Sequence, residues 1–121
     1  MLEAVYDRRG SAVAWFEGED GDIFDRAGHP LGFVDGGEYY AYRGGRHIGE
    51  FNAGIFWDRR GRAVAFLEGA TGGPLLPIPR IPPIPPIPRI PPIRPITPVP
   101  PIPPLQTLGW SDAIFTELFN V

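Results

Sequence analysis

The side chains able to do chemistry are few and evenly spaced. Arg8, Arg26, Arg43 and Arg59 each stand two positions before a glycine: Gly10, Gly28, Gly45 and Gly61. If symmetry relates these segments, the four guanidinium groups form a ring whose forked N–H donors suit a phosphate or another anion. The alternative is four solvated turn residues offset by Asp7, Asp25 and Asp58. Glu17, Asp35 and Glu68 recur at a second fixed place and read either as an acidic ring with weak cation affinity or as solvated strand ends. His29 and His47 follow their glycines closely and read as exposed loop histidines. No phosphate loop, Ser-His-Asp spacing, metal-ligand cluster or acid–base pair is present in the pattern. The absence of cysteine removes thiol and zinc-thiolate chemistry. The sequence therefore predicts a non-enzyme with no catalytic residue, no metal site and no cofactor.

The elements that must carry these residues are repeats. Aligned on the four glycines, the segments read VYDRRGSAVAWFEG, IFDRAGHPLGFVDG, YAYRGGRHIGEFNA and FWDRRGRAVAFLEG. An aliphatic residue follows each glycine by three (Val13, Leu31, Ile48, Val64), then a tiny one (Ala14, Gly32, Gly49, Ala65), and two further on a large apolar one (Phe16, Val34, Phe51, Leu67). Short runs rich in Val, Ile, Phe, Tyr and Trp, bounded by Gly and Asp, are strand signals. Asp-Arg-x-Gly suits a tight turn in which Asp accepts the turn amides and Gly takes positive φ. The head is thus all-β, about eight short antiparallel strands in four hairpins. Four hairpins around one axis bury faces that a lone hairpin leaves wet, so they close into a small shallow barrel. The tiny residues are expected where four strands converge on the axis and side chains crowd.

Proline and glycine are segregated. Of 17 prolines, all but Pro30 lie between Pro74 and Pro104, and of 16 glycines, all but Gly109 lie before Pro74. This divides the chain into a hairpin head (1–73), a Pro/Ile-rich segment (74–105) and a short aromatic tail (106–121). In the middle segment an aliphatic falls on every third position: Leu75, Ile78, Ile81, Ile84, Ile87, Ile90, Ile93, Ile96, Val99, Ile102 and Leu105. Proline fixes φ and removes the amide donor, which predicts a polyproline II rod spanning roughly 95 Å if straight. The period then lines the aliphatics along one edge, an apolar stripe that soluble monomers rarely leave bare. It can be covered by the same stripe on other copies of the chain, which is the preferred reading, by the chain's own head, or by an unknown protein. The head has a face to spare, since Trp15, Phe33 and Phe66 occupy one side of the strands while Phe16, Val34 and Leu67 occupy the other. The proline spacing within Arg80–Pro86 matches Pro-rich recognition motifs, but in so repetitive a segment the match carries no specificity.

Beyond Gly109, Ser111 or Asp112 can cap a short helix over 112–119. Trp110, Ile114 and Leu118 fall at i, i+4 and i+8, with Phe115 and Phe119 beside them. So short a helix needs a groove. The tail is either a docking motif anchored by Trp110 or a segment folded back to seal its own barrel.

The DRRGxAVAxxEG units, with the PIPRIPPI segment and the LGW tail, resemble the bacterial four-fold β-flower proteins across the whole chain. That resemblance implies a shallow barrel of repeated hairpins, or petals, distantly similar to Tubby-like and scramblase-like barrels. It also implies an anionic membrane lipid as the ligand of the arginine ring, and no established activity. The third copy departs, with Tyr42 in place of Asp and Glu50 in place of Trp or Phe, and its petal is expected to be exposed or offset. Twelve acids against eight arginines in the head, and no lysine anywhere, argue against nucleic acid as a partner. The opening residues lack a basic segment followed by an apolar run, and no 18-residue apolar stretch lacks proline, so a cytoplasmic protein is expected.

Overall fold

The computed structural model describes residues 1–120. Eight antiparallel strands close into a barrel in chain order. They are β1 (Leu2–Tyr6), β2 (Ala12–Glu17), β3 (Asp22–Asp25), β4 (Pro30–Asp35), β5 (Glu38–Ala41), β6 (His47–Asn52), β7 (Ile55–Trp57) and β8 (Ala63–Leu67). The turns form as the repeats predict. Asp7 Oδ1 accepts the amides of Arg9 and Ser11 at 2.9 and 3.0 Å, and Asp25 and Asp58 repeat the arrangement. Gly10, at φ 79°, closes the first turn in the left-handed region that a side chain disfavours. The third turn is one residue longer, closed by the Ala41 amide on the Arg46 carbonyl.

Each hairpin carries a bulge. Val5 faces Ala14 and Tyr6 faces Ala12, so Val13 is skipped. Leu31, Ile48 and Val64 are skipped in the same way. The aliphatic residue three after each glycine is therefore the bulge residue, and all four pack against the core inside the barrel. The tiny residue beside it is required by strand-on-strand crowding. A Cβ on Gly32 would collide with the Tyr40 carbonyl, and one on Gly49 with the Trp57 carbonyl. This replaces the expected convergence of four strands on an axis.

The Pro-rich segment does not project as a straight rod. It is extended, without helix or sheet pairing, and visits the four petals in turn. The carbonyls of Ile78, Ile87, Ile96 and Leu105 lie against Gly10, Gly28, Gly45 and Gly61, and a Cβ on the first three glycines would come within 2.6, 3.0 and 2.8 Å. The amides of Arg80, Arg89 and Thr107 donate to the carbonyls of Gly10, Gly28 and Gly61 at 2.8, 2.9 and 2.8 Å. Pro98, at the corresponding place on the third petal, has no N–H to give. The segment is thus a belt of four nonapeptides, 75–83, 84–92, 93–101 and 102–110, one per petal. Beneath it, Tyr6, Trp15, Phe24, Phe33, Tyr40, Trp57 and Phe66 are all buried, although they alternate with the residues that fill the barrel. The head's spare apolar face is the belt's seat.

The tail then turns into the barrel. The Trp110 backbone bridges Ala63, and the Ser111 amide donates to the Ala63 carbonyl at 2.8 Å. A 3-10 helix, Phe115–Phe119, replaces the expected two α-helical turns over 112–119. Phe115 and Phe119, each 2% exposed, pack on Tyr39. Trp110, Ile114 and Leu118 do not form the buried stripe: Ile114 is 60% exposed, Leu118 is half-buried, and Trp110 packs on the outer cluster under the belt. Through Phe115 and Phe119 the tail therefore folds back on its own barrel. Val121, the last residue of the expected tail, lies outside the described residues.

Ending the chain at Gly73 removes belt and plug together, uncovering the aromatic wall and the barrel mouth. The truncated chain is expected to lose its cooperative thermal transition and bind a hydrophobic dye. A sharp calorimetric transition within a few degrees of the full chain's would show that the barrel stands alone.

Candidate interaction surfaces

The belt sets backbone carbonyls and a minority of its prolines, such as buried Pro74 and half-buried Pro86 and Pro95, against the barrel and turns its aliphatics away from it. Every residue of the stripe from Leu75 to Leu105 is 90–97% exposed. None of the eleven packs on the head, although the segment that carries them does. The encircled molecule thus presents an apolar ring around its waist.

All eight arginines of the head lie in the four turns joining β1 to β2, β3 to β4, β5 to β6 and β7 to β8, which topology places at one end of the barrel. The predicted anion ring of Arg8, Arg26, Arg43 and Arg59 is interrupted, because the tail plugs the mouth between them. Arg8 sits 3.5 Å from Asp112 of the tail, and Arg46 donates to the Leu118 carbonyl at 2.5 Å. Arg8 and Arg9 line a cavity of about 410 Å³ on one side of Ser111–Ala113. Arg59, Arg60 and Arg62 line one of about 360 Å³ on the other. Arg26 lines a third hollow beside Thr116, and Arg43 is exposed. The four arginines thus share a rim without converging on one point. The acidic positions do not converge either. Glu17 holds the N-terminal amine at 2.9 Å, while Asp35 and Glu68 are exposed. Among the described residues no group of three or more His, Asp or Glu is placed to hold a metal ion, and no helix is long and apolar enough to cross a membrane.

Two buried polar clusters lie under the belt, and neither was read from the sequence. Asp22 accepts the Tyr42 hydroxyl and pairs with belt Arg94 at 3.3 Å. The Arg94 guanidinium also donates to the Asp20 carbonyl and lies over the Phe33 ring, 4.8 Å from its centre. One petal further on, Glu38 meets His47 Nε2 at 2.6 Å. His47 is 6% exposed, which corrects its reading as a loop histidine, and its Nδ1 is buried without a partner. His29 is the exposed one, bonded to Asp25 at 3.1 Å. The departures of the third copy thus have a purpose: Tyr42 reaches into the Asp22 cluster, and Glu50 accepts a hydrogen bond from belt residue Gln106 at 2.7 Å. That petal is neither exposed nor offset, since Tyr39, Tyr40 and Ala41 are all buried. The missed signal was the nine-residue period, which would have assigned each belt side chain to a petal.

A closed eight-stranded barrel of four bulged hairpins, girdled by its own extension and plugged by its own tail, is a β-flower. The chain belongs to the 4-fold beta flower protein family, whose family model matches residues 3–119. No curated protein and no solved structure matches it.

Burial raises the hydroxyl pKa of all four tyrosines above the usual value near 10, with Tyr42 pushed up to about 12 by burial and its hydrogen bond to Asp22. Between pH about 10 and 12 the folded chain therefore keeps protons that the unfolded chain has lost, so stability falls as pH rises through that window. Part of the phenolate absorbance is expected to appear only above pH 10, together with the loss of circular dichroism. Full phenolate absorbance near pH 10 with the fold intact would contradict this.

Proposed function

We propose that this protein is a non-enzymatic interaction module whose aliphatic belt mediates association with further copies of itself. The observation that carries this reading is the near-complete exposure of eleven aliphatic side chains in one unbroken row. The belt is a polyproline II helix, three residues per turn and about 3.1 Å rise per residue, which brings one such side chain outward about every 9 Å. Proline at those positions would have kept the belt equally stiff, so the aliphatics serve a contact. At roughly 2 kcal/mol per side chain and about 25 cal/mol per Å², the row presents on the order of 900 Å². That is about one partner's share of a standard interface. On a convex ring a neighbour reaches only an arc of a few side chains. Each contact is therefore weak and several neighbours can bind, which favours an array over a dimer. An apolar groove on another protein is the other occupant this surface fits.

Sedimentation velocity over a concentration series tests the self-association. The full chain is expected to grow with concentration, and joint replacement Ile84→Ser, Ile87→Ser and Ile90→Ser is expected to weaken that at least tenfold, since the glycine contacts use only the backbone. A monomer at millimolar concentration, or growth unchanged by the triple replacement, would sink the proposal.

The basic rim supports a second reading, an anion site for a lipid headgroup or a free phosphate. It rests on eight arginines gathered at one end of the barrel, of which only Arg8 has a salt-bridge partner among the described residues. Liposomes containing anionic lipid are expected to capture the chain in low salt and release it after Arg8, Arg26, Arg43 and Arg59 are changed to Gln. Capture that survives those changes removes this reading, and inhibition by inorganic phosphate separates a phosphate pocket from a membrane surface.

A further inference from the structure

The two buried acids under the belt occupy the same place in successive petals. Asp22 faces Phe33 on β4 and Glu17 on β2; Glu38 faces Glu50 on β6 and Asp35 on β4. Counted from the turn glycines, Phe33 and Glu50 are both fifth, and Glu17 and Asp35 both seventh. In petals one and four the place belongs to Ala4 and Ile55, opposite Trp15 and Phe66, and needs no partner. Where it is acidic, low exposure makes an unpartnered carboxylate costly, so a cation or hydrogen-bond donors must answer it.

Over Asp22 the belt supplies Arg94, from the sequence Ile93-Arg94-Pro95. Nine residues later the belt reads Ile102-Pro103-Pro104. Pro103 stands where the guanidinium came from, and it has no charge to give. Asp58 stands at the turn position that Tyr42 holds for Asp22. The result is a cavity of about 180 Å³, lined by Glu38, His47, Glu50, Asp58, Arg59 and Pro103 among others. Glu50 there already accepts Gln106, Asp58 accepts its turn amides and one oxygen of Glu38 meets His47 Nε2, while the other carboxylate oxygen of Glu38 has no hydrogen-bond partner among the described residues.

We infer that this cavity is a binding site for the guanidinium group of a small cationic ligand, held by Glu38 in the way that Asp22 holds Arg94. The petal symmetry supplies the precedent, since an equivalent acid in this same fold is already answered by that group. A planar guanidinium offers parallel N–H donors to a carboxylate, whereas an ammonium offers only a point charge. The cavity is large enough for the group, and the belt forms one of its walls. Among the described residues the lining side chains form no metal-holding group, and the free Glu38 oxygen suits a planar organic cation.

Methylguanidinium is the probe, added to the full chain while the His47 ring resonances are followed by NMR. Saturable shifts in the millimolar range are expected at His47 and not at His29, at least fivefold weaker with methylammonium. Glu38→Gln is expected to weaken binding at least tenfold. Pro103→Arg supplies the cation from the belt, so it is expected to abolish binding and raise the melting temperature by a few degrees, which keeps the test valid if Glu38→Gln fails to fold. Arg94→Ala opens the equivalent site, so methylguanidinium is expected to restore part of the melting temperature it loses. Non-saturating shifts, shifts that persist in Pro103→Arg, or equal binding of methylammonium would each overturn the assignment.

Discussion

The structure depends on one backbone contact made four times, the seating of a belt carbonyl against a turn glycine. A Pro-rich strand has few amide donors, so it cannot be held by a ladder. It is held by shape, with carbonyls at Ile78, Ile87, Ile96 and Leu105 lying where any Cβ on the glycine would stand. Only the residue two beyond the carbonyl donates back, and on the third petal even that bond is missing because Pro98 takes the position. Each turn glycine therefore serves twice, adopting positive φ to close its hairpin and leaving room for the belt. The Asp-Arg-x-Gly pattern is at once a turn motif and a docking motif.

Stiffness makes so sparsely bonded a belt workable. Ordering a flexible segment costs roughly 1–2 kcal/mol per residue in backbone entropy alone. A chain in which about every second residue is proline is already confined when unfolded and loses much less. Burial of the aromatic wall can then outweigh the cost with few hydrogen bonds. The plug works by the same balance. Phe115 and Phe119 enter a core already rich in aromatic rings, and five residues of 3-10 helix suffice because packing on Tyr39 and Phe56 holds them in place.

The hairpins were legible because their signals are local. Asp accepts amides two and four residues ahead, and glycine punctuates each turn, so the repeat is visible within fourteen residues. The stripe was legible as a period of three, and its outward face follows from that period. What the period could not give is where the opposite edges go, since their partners lie on a barrel formed by residues far away in the chain. The seat was written as a slower period of nine, obscured because most inward positions are proline whichever petal they meet. Arg94 looked like a stray charge, and His47 like a loop residue, because their meaning depends on which petal the belt has reached. The choice between sealing and docking for the tail was likewise not local. It turned on the four bulge residues at the mouth, whose aliphatic character was visible while their inward direction was not.

Symmetry leaves the belt a problem that its broken positions resolve. Sliding it by three residues keeps every aliphatic outward but sets proline (Pro83 and Pro92, or Pro77 and Pro86) in place of the Arg80 and Arg89 amides, whereas sliding it by nine moves it one whole petal, so an ideal nine-residue repeat would have nearly equal seatings one petal apart. Arg94 removes that degeneracy. A shift of three puts Pro91 or Thr97 over Asp22, and a shift of nine puts Pro85 or Pro103 there, each leaving a buried carboxylate without its cation at a cost of several kcal/mol. Leu76, which enters the apolar patch at the belt's start, and the Gln106–Glu50 bond near its end reinforce the same seating. A polar pair that adds little to stability by itself thus selects one register from many, the role in which buried charge is best attested. It follows that the polar residues of petals two and three are where this fold differs from a perfect flower for physical cause, and Glu38, given no arginine by the belt, is answered from within the chain by His47 on one oxygen alone.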